Sequence, residues 1–143
     1  MIDKTFGKQI KEQEYIDREG AYLICIENNT VAVVKTPKGF FLPGGGIDYG
    51  ESHIECIERE LLEETGFLCV IDKYICSAEE YLHHEKLGYF HPIQNYYMGK
   101  LTEQAMQPVE IDHLLEWLPV CDIENKMYLK SQGWAIKYSA AKF

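Results

Sequence analysis

The stretch from Gly44 to Phe67, G-G-G-I-D-Y-G-E-S-H-I-E-C-I-E-R-E-L-L-E-E-T-G-F, constrains this chain more than any other part of it. It joins a run of glycines, expected to form a loop, to a segment with helical punctuation at both ends. Ser52 followed by Glu55 is a capping-box pattern, in which the Ser hydroxyl and the Glu side chain each satisfy a backbone N–H that the first turn leaves unpaired. Gly66 stands where the left-handed residue just past a helix is expected. Between these ends Ile54, Ile57 and Leu61 recur at spacings of three and four, which predicts one apolar stripe facing a core. Glu60, Glu63 and Glu64 fall within about 100° of one another on the helix surface, beside that stripe. They are expected at the rim of the buried face.

Like charges at these spacings repel by roughly a few tenths of a kcal/mol per pair, so a partner has to neutralise them. Hard carboxylate oxygens favour Mg²⁺, or Mn²⁺ in its place, and Mg²⁺ combines one or two carboxylates with waters and substrate phosphates. The competing reading is a plain solvated acidic face.

With 143 residues, 46% of them hydrophobic, and no linker, repeat or low-complexity run, residues 1–143 are expected to form a single domain. The apolar runs are too short to cross a bilayer, and Met1-Ile2-Asp3-Lys4 does not open a signal sequence. Cys25, Cys56, Cys69, Cys76 and Cys121 are odd in number, scattered and without a C-x-x-C pair, which argues against a disulfide framework and against a zinc site. A soluble protein of the reducing cytoplasm is the expectation. The net charge of −9 disfavours a nucleic-acid backbone as partner, whereas a small phosphorylated ligand is compatible with it once a cation reverses the local field.

Phe6 to Ile10 is expected as a short strand. Ala21 to Glu27 and Thr30 to Lys35 read as strands joined by a tight turn at Asn28-Asn29, and apolar residues on both of their faces predict a sheet covered on two sides. Thr36 to Gly39 reads as a turn and Phe40 to Leu42 as a strand leading into the glycines. Phe67 to Cys76 and Tyr89 to Leu101 read as strands, with the polar segment Glu79 to Gly88 between them as a loop. Leu114 to Val120 is a last strand, held to a sheet edge by Pro119. From Asp122, as cap, the tail reads as helical, with Ile123, Met127, Trp134 and Tyr138 on one apolar face and a possible break at Gly133. Apolar strands between helices predict an α/β/α sandwich with a mixed β-sheet between the helices.

Gly45, Glu51 and Arg59-Glu60-Leu61-Leu62-Glu63-Glu64-Thr65-Gly66-Phe67, separated by five and then seven residues, resemble the Nudix box of the Nudix hydrolases (MutT-like) without a departure. The order of elements around the box is similar too, and the family fold is the same sandwich. The resemblance implies metal-dependent hydrolysis of a nucleoside diphosphate linked to another group. It implies Glu60, Glu63 and Glu64 as metal-binding carboxylates, one of them assisting deprotonation of water, and a metal contact from the Gly44 carbonyl. Arg59 would hold the catalytic carboxylates, its bland alternative being a surface pair with Glu55. Glu51 would brace the loop and the Arg, and Gly45 and Gly66 would serve its backbone.

A base is expected to stack on an aromatic ring, with Tyr81 and Phe41 the chosen candidates among Phe90, Tyr96 and Tyr97 as well. His83, His84, His91 and His113 could ligate metal or act as bases, but as loop histidines they are expected to be solvated, and His83-His84 lacks the i, i+4 spacing that would put both on one metal. A downstream glutamate serves as an extra ligand or base in some Nudix groups; Glu79, Glu80, Glu85, Glu110 and Glu116 are all available, and spacing does not choose among them. The proline typical of the ADP-ribose group is missing where Tyr81-Leu82 stand, and the tyrosine of the dinucleoside polyphosphate group is not met. A nucleoside triphosphate, a dinucleoside polyphosphate and a nucleotide sugar all stay open as substrate. The alternative is a catalytically silent Nudix-shaped nucleotide sensor. The sequence says nothing of oligomeric state.

Overall fold

The computed structural model describes residues 1–86 and 88–143. The chain runs β1 (Lys4–Phe6), β2 (Ile16–Ile24), β3 (Ile26–Glu27), β4 (Thr30–Thr36), β5 (Gly39–Phe41), β6 (Gly44–Gly46), α1 (His53–Thr65), β7 (Phe67–Glu80), β8 (Leu82–His84), β9 (Gly88–Gln104) and β10 (Leu114–Pro119). A 3-10 turn (Val120–Asn125) and α2 (Lys130–Lys142) follow. Two sheets result. The larger has the order β1-β7-β9-β2-β6, with β8 beside β9, and mixes parallel pairs (β1/β7 and β2/β9) with antiparallel ones. The smaller has the order β10-β4-β3, with β5 also on β4, and is antiparallel.

Alternation along the strands distributes the core to two sides. Ala21, Leu23, Cys25 and Ala32 are buried with Cys56, Ile57 and Leu61 of α1. Ile24, Val31, Val33, Cys76, Ala78 and Tyr96 are buried with Ala135 and Ile136 of α2. The architecture is therefore the expected helix, sheet, helix layering. Among the described residues no helix is long and apolar enough to cross a membrane.

The expected helix is present with both caps: Ser52 and Glu55 form the reciprocal capping box, and Gly66 at φ 78 closes the C-terminus. Its stripe is shifted from the expected one. Ile54 is 46% exposed, and Cys56 takes the inward place with Ile57 and Leu61. The turn at Asn28-Asn29 has the positive backbone angles expected (φ 50 and 62). Cys25, inside the strand expected over Ala21 to Glu27, is instead where the chain leaves the larger sheet for the smaller.

Other boundaries differ more. The first strand is Lys4–Phe6, pairing in parallel with the end of β7, and Phe6 to Ile10 is not a strand. The polar Glu79 to Gly88 segment holds the end of β7 and all of β8, because its polar side chains find partners across the sheet: Thr5 Oγ1 donates to Glu79 Oε2 at 2.7 Å. Residue 87, within that segment, lies outside the described residues. Asp122 falls in the 3-10 turn rather than capping α2. The start of α2 has no local side-chain cap, and Glu80 of β7 accepts the Ser131 N–H at 2.6 Å instead. Gly133 does not break α2; a Cβ there would stand 3.1 Å from the Glu124 Cα, so glycine lets the 3-10 turn approach.

Candidate active site

Gly44, Gly45 and Gly46 form a strand, not a loop. β6 is the outer strand of the larger sheet, with Gly45 opposite Ala21. Leu23 N–H donates to Pro43 and Ile47 N–H to Glu19, so alternation along the ladder turns the N–H and C=O of Gly44 and Gly46 away from β2. Those outward groups are where side chains of α1 arrive. Gly44 N–H donates to Glu64 Oε1 at 3.0 Å, and Arg59 Nη2 donates to the Gly46 carbonyl at 3.1 Å. Gly45 turns its missing side chain toward α1, where a Cβ would stand 2.6 Å from the Glu60 carboxyl carbon. A methyl group there would displace the Glu60 carboxylate.

One guanidinium organises the acids. Arg59 grips Glu51 with two parallel bonds, Nε to Oε2 at 2.6 Å and Nη2 to Oε1 at 2.9 Å. Its Nη1 donates to Glu60 Oε1 at 2.7 Å and more weakly to Glu63 Oε2 at 3.4 Å. Such charge-assisted forks fix orientation as well as contributing energy. Hydrogen bonds from Arg59 pull the Glu51 carboxyl down to about 2, and the same bonds raise the guanidinium above its ordinary value. Glu55, the alternative partner for Arg59, is engaged in the capping box.

Glu60 and Glu64 are shifted the other way. Burial raises Glu60, with Arg59 opposing and the charge of Glu63 adding. Burial pushes Glu64, 8% exposed, up to about 8; the charges of Glu60, Glu110 and Glu63 add to this, against the Gly44 N–H. The acids destabilise one another's charged forms, and Arg59 is bonded to Glu60 and Glu63. The donors are hard oxygens. The sulfur nearby, Cys56 Sγ, is turned to the Gly45 and Gly46 carbonyls at 3.3 and 3.5 Å, and burial pushes its thiol up to about 11. This donor set fits Mg²⁺ or Mn²⁺ better than a soft metal.

Two hollows share Tyr22, Lys38 and Phe41; Glu64 lines the smaller, and the larger meets the glycine strand at Gly46. The smaller, about 350 Å³, reaches Gly44, Glu64, Asp112 and His113. The larger, about 650 Å³, is walled by Phe41, Tyr81, Phe90 and Tyr128. Both chosen aromatics thus line it. Tyr96 does not; it is fully buried in the core, and Tyr97 bonds His53 on the α1 side. Tyr81 is backed by His91, stacked at 4.3 Å between ring centroids. His91 is not solvated as expected, since its two ring nitrogens sit 2.8 Å from Asp17 and 2.7 Å from Glu79.

Of the five downstream glutamates, Glu110 is the one whose charge acts on Glu64. Val109 and Glu110 N–H both donate to the Glu63 carbonyl, and Ala105 and Met106 N–H to that of Gly66, tying the segment after β9 to the end of α1. This brings together Glu110, Asp112 and His113, whose ligand atoms lie within 4.8 Å of one another. His113 Nδ1 is buried without a hydrogen-bond partner. The sequence signal was the close spacing E-x-D-H ahead of β10, which the count of lone glutamates obscured.

The fold and the family are shared with known proteins. The chain superposes on a NUDIX hydrolase from Nitrosomonas europaea with a TM-score of 0.73 at 17% identity, over 88% of this chain and 90% of that one. A MutT NUDIX hydrolase from Burkholderia pseudomallei gives 0.68 at 18% identity, over 86% and 98%. The NUDIX domain of Shewanella oneidensis NrtR, complexed with ADP ribose, gives 0.64 at 19% identity, over 91% and 89%. At these identities the likeness is one of fold. The NUDIX domain family itself matches residues 17–138, most of the chain and the whole of the box. The chain belongs to the NUDIX domain family.

Proposed function

We propose that residues 1–143 act as one unit that hydrolyses the pyrophosphate bond of a nucleoside diphosphate linked to a further group, with Mg²⁺, or Mn²⁺ in its place, held by Glu60, Glu63, Glu64 and the Gly44 carbonyl. The observation that carries this is a set of mutually repelling carboxylates gathered on α1 at a glycine strand, beside a cavity walled by aromatic rings. Mg²⁺ bound there would polarise a phosphoryl oxygen and make a bound water more acidic.

The chain's own groups account for the rest. Arg59, fixed by Glu51 and Gly46, holds Glu60 and Glu63 in place before substrate arrives, so little reorganisation is left for the reaction. Glu63 is the most open of the three acids, its side chain 40% exposed, and we assign it the proton of the attacking water. Phe41 and Tyr81 offer faces for a base, and Lys38, shared by both hollows, stands between that base and the acids as a cation for phosphate. Glu110, Asp112 and His113 are further donors beside Glu64. The bound ADP ribose of the NrtR domain supports a nucleotide-derived ligand for this fold.

The test is release of phosphate-containing products from nucleoside triphosphates, dinucleoside polyphosphates and nucleotide sugars, with Mg²⁺ and with chelator. Metal-dependent cleavage of at least one of them is expected, and the point of cleavage identifies the substrate group. Binding of several without turnover of any, in ample Mg²⁺, would favour the sensor and overturn the proposal.

A further inference from the structure

The hydrogen bonds around Gln94 fix what the larger cavity presents to a ligand. Leu42 N–H can only donate, and it lies 2.7 Å from Gln132 Oε1, so that atom is the carbonyl oxygen and the other end of the amide is the NH₂. Gln132 Nε2 therefore donates across 3.1 Å to Gln94 Oε1, which also accepts the Tyr96 hydroxyl at 2.8 Å. Gln94 is only 2% exposed, and it lines the cavity. Both bonds fall on Oε1, which leaves Nε2 as the end of the amide for the cavity. A backbone amide on one side of the molecule thus dictates that Gln94 offers donors, not acceptors, to whatever enters.

Three other polar side chains of the cavity, Arg18, Lys38 and Lys130, carry donors alone, and one oxygen of the Glu80 carboxylate is engaged by the Ser131 N–H; the His83 ring and the Tyr22, Tyr81 and Tyr128 hydroxyls can donate or accept. The walls are flat rings, which suit a planar partner. We propose that Gln94 is a specificity-determining residue that donates to an exocyclic carbonyl oxygen of the substrate's base. Bases with an oxo group, uracil and hypoxanthine, are then taken in preference to cytosine and adenine, which carry an amino group at the corresponding position. A donor facing another donor leaves both unpaired, and sites built on a hydrogen bond reject the mismatched analogue strongly. The inference rests on the nucleotide-hydrolysis reading above.

The test uses the full chain and pairs of probes that exchange an oxo for an amino group: UDP against CDP and IDP against ADP, each with Mg²⁺, by calorimetric titration. The same pairs as triphosphates give kcat/KM. UDP and IDP are expected to bind at least about tenfold more tightly than their amino partners. Gln94→Glu keeps one oxygen for Gln132 and Tyr96 and turns a second oxygen to the cavity, so it should abolish or invert both ratios; Gln94→Met should abolish them. Equal affinities in the unaltered protein overturn the proposal, and so do ratios that neither substitution changes while the melting curve shows a folded protein. If the ratios appear but no triphosphate or nucleotide sugar is cleaved, the hydrolysis reading falls and the role of Gln94 stands. If none of the four diphosphates binds, both fall.

Discussion

Glu64 makes a measurable claim about pH and metal together. Its carboxyl is pushed from 4.5 to about 8, chiefly by burial. Between those values the folded protein keeps a proton that the unfolded chain has released, so stability falls as pH rises, by about 1.4 kcal/mol per unit. Over the interval of about 3.5 units (8 − 4.5) this sums to at most about 5 kcal/mol for the metal-free protein, all of it present below pH 4.5 and gone above about pH 8. For a chain of this length that is on the order of 10 °C in Tm. A divalent cation binds the ionised form, so Mg²⁺ should raise Tm far more at pH 8 than at pH 5. Glu64→Gln keeps an oxygen for the Gly44 N–H and removes the charge. In chelator the variant should melt higher than the unaltered protein at pH 8, and its Tm should fall less steeply from pH 5 upward. In Mg²⁺ it should lose most of the metal-induced rise. Calorimetric melts of both proteins from pH 5 to 8.5, in chelator and in excess Mg²⁺, give all four curves. Parallel pH curves for the two proteins in chelator would show that Glu64 is not the titrating group, and burial would not have the effect argued for it.

Glu63→Gln should reduce turnover by at least about a hundredfold with an unchanged circular dichroism spectrum, several kcal/mol of charge stabilisation being at stake; unchanged kinetics would remove Glu63 from the site. Gly45→Ala puts a methyl group 2.6 Å from the Glu60 carboxyl carbon, and displacing that acid should weaken Mg²⁺ binding by about tenfold or more in a titration. Ile54→Ser, on an exposed position of α1, should change unfolding free energy by no more than about 0.5 kcal/mol in urea melts, and a larger loss would restore Ile54 to the core.

What the sequence made legible is what is encoded locally. The two caps of α1, the Asn28-Asn29 turn and the edge position of Pro119 each depend on one or two residues and their neighbours, and each is found as expected. Arg59 and the acids on its helix were legible because helix periodicity alone puts them on one side. Long-range pairing was not. Glycines signal backbone freedom without saying whether it serves a turn or, as at Gly44–Gly46, a strand that lets a helix come close. The charged run Asp17-Arg18-Glu19 hid the first half of β2, whose partner β9 lies more than seventy residues away. Separations of 51, 90 and 38 residues likewise hid the Glu80 cap of α2 and the two steps of the amide relay from Leu42 to Gln94. Glu110, Asp112 and His113 reach Glu64 only because four backbone amides bend their segment back onto the helix end.

That last tether has a bearing on how the protein can be re-engineered. Residues 105–110 are sewn to Glu63 and Gly66 by main-chain atoms alone, so exchanging side chains there leaves the stitches whole. Deleting or inserting a residue would instead drag on the carbonyl of Glu63 and swing the carboxylate that hangs from the same backbone. Libraries meant to broaden the ligand range should therefore vary the identity of positions 105–109, keep Glu110, and keep the number of residues.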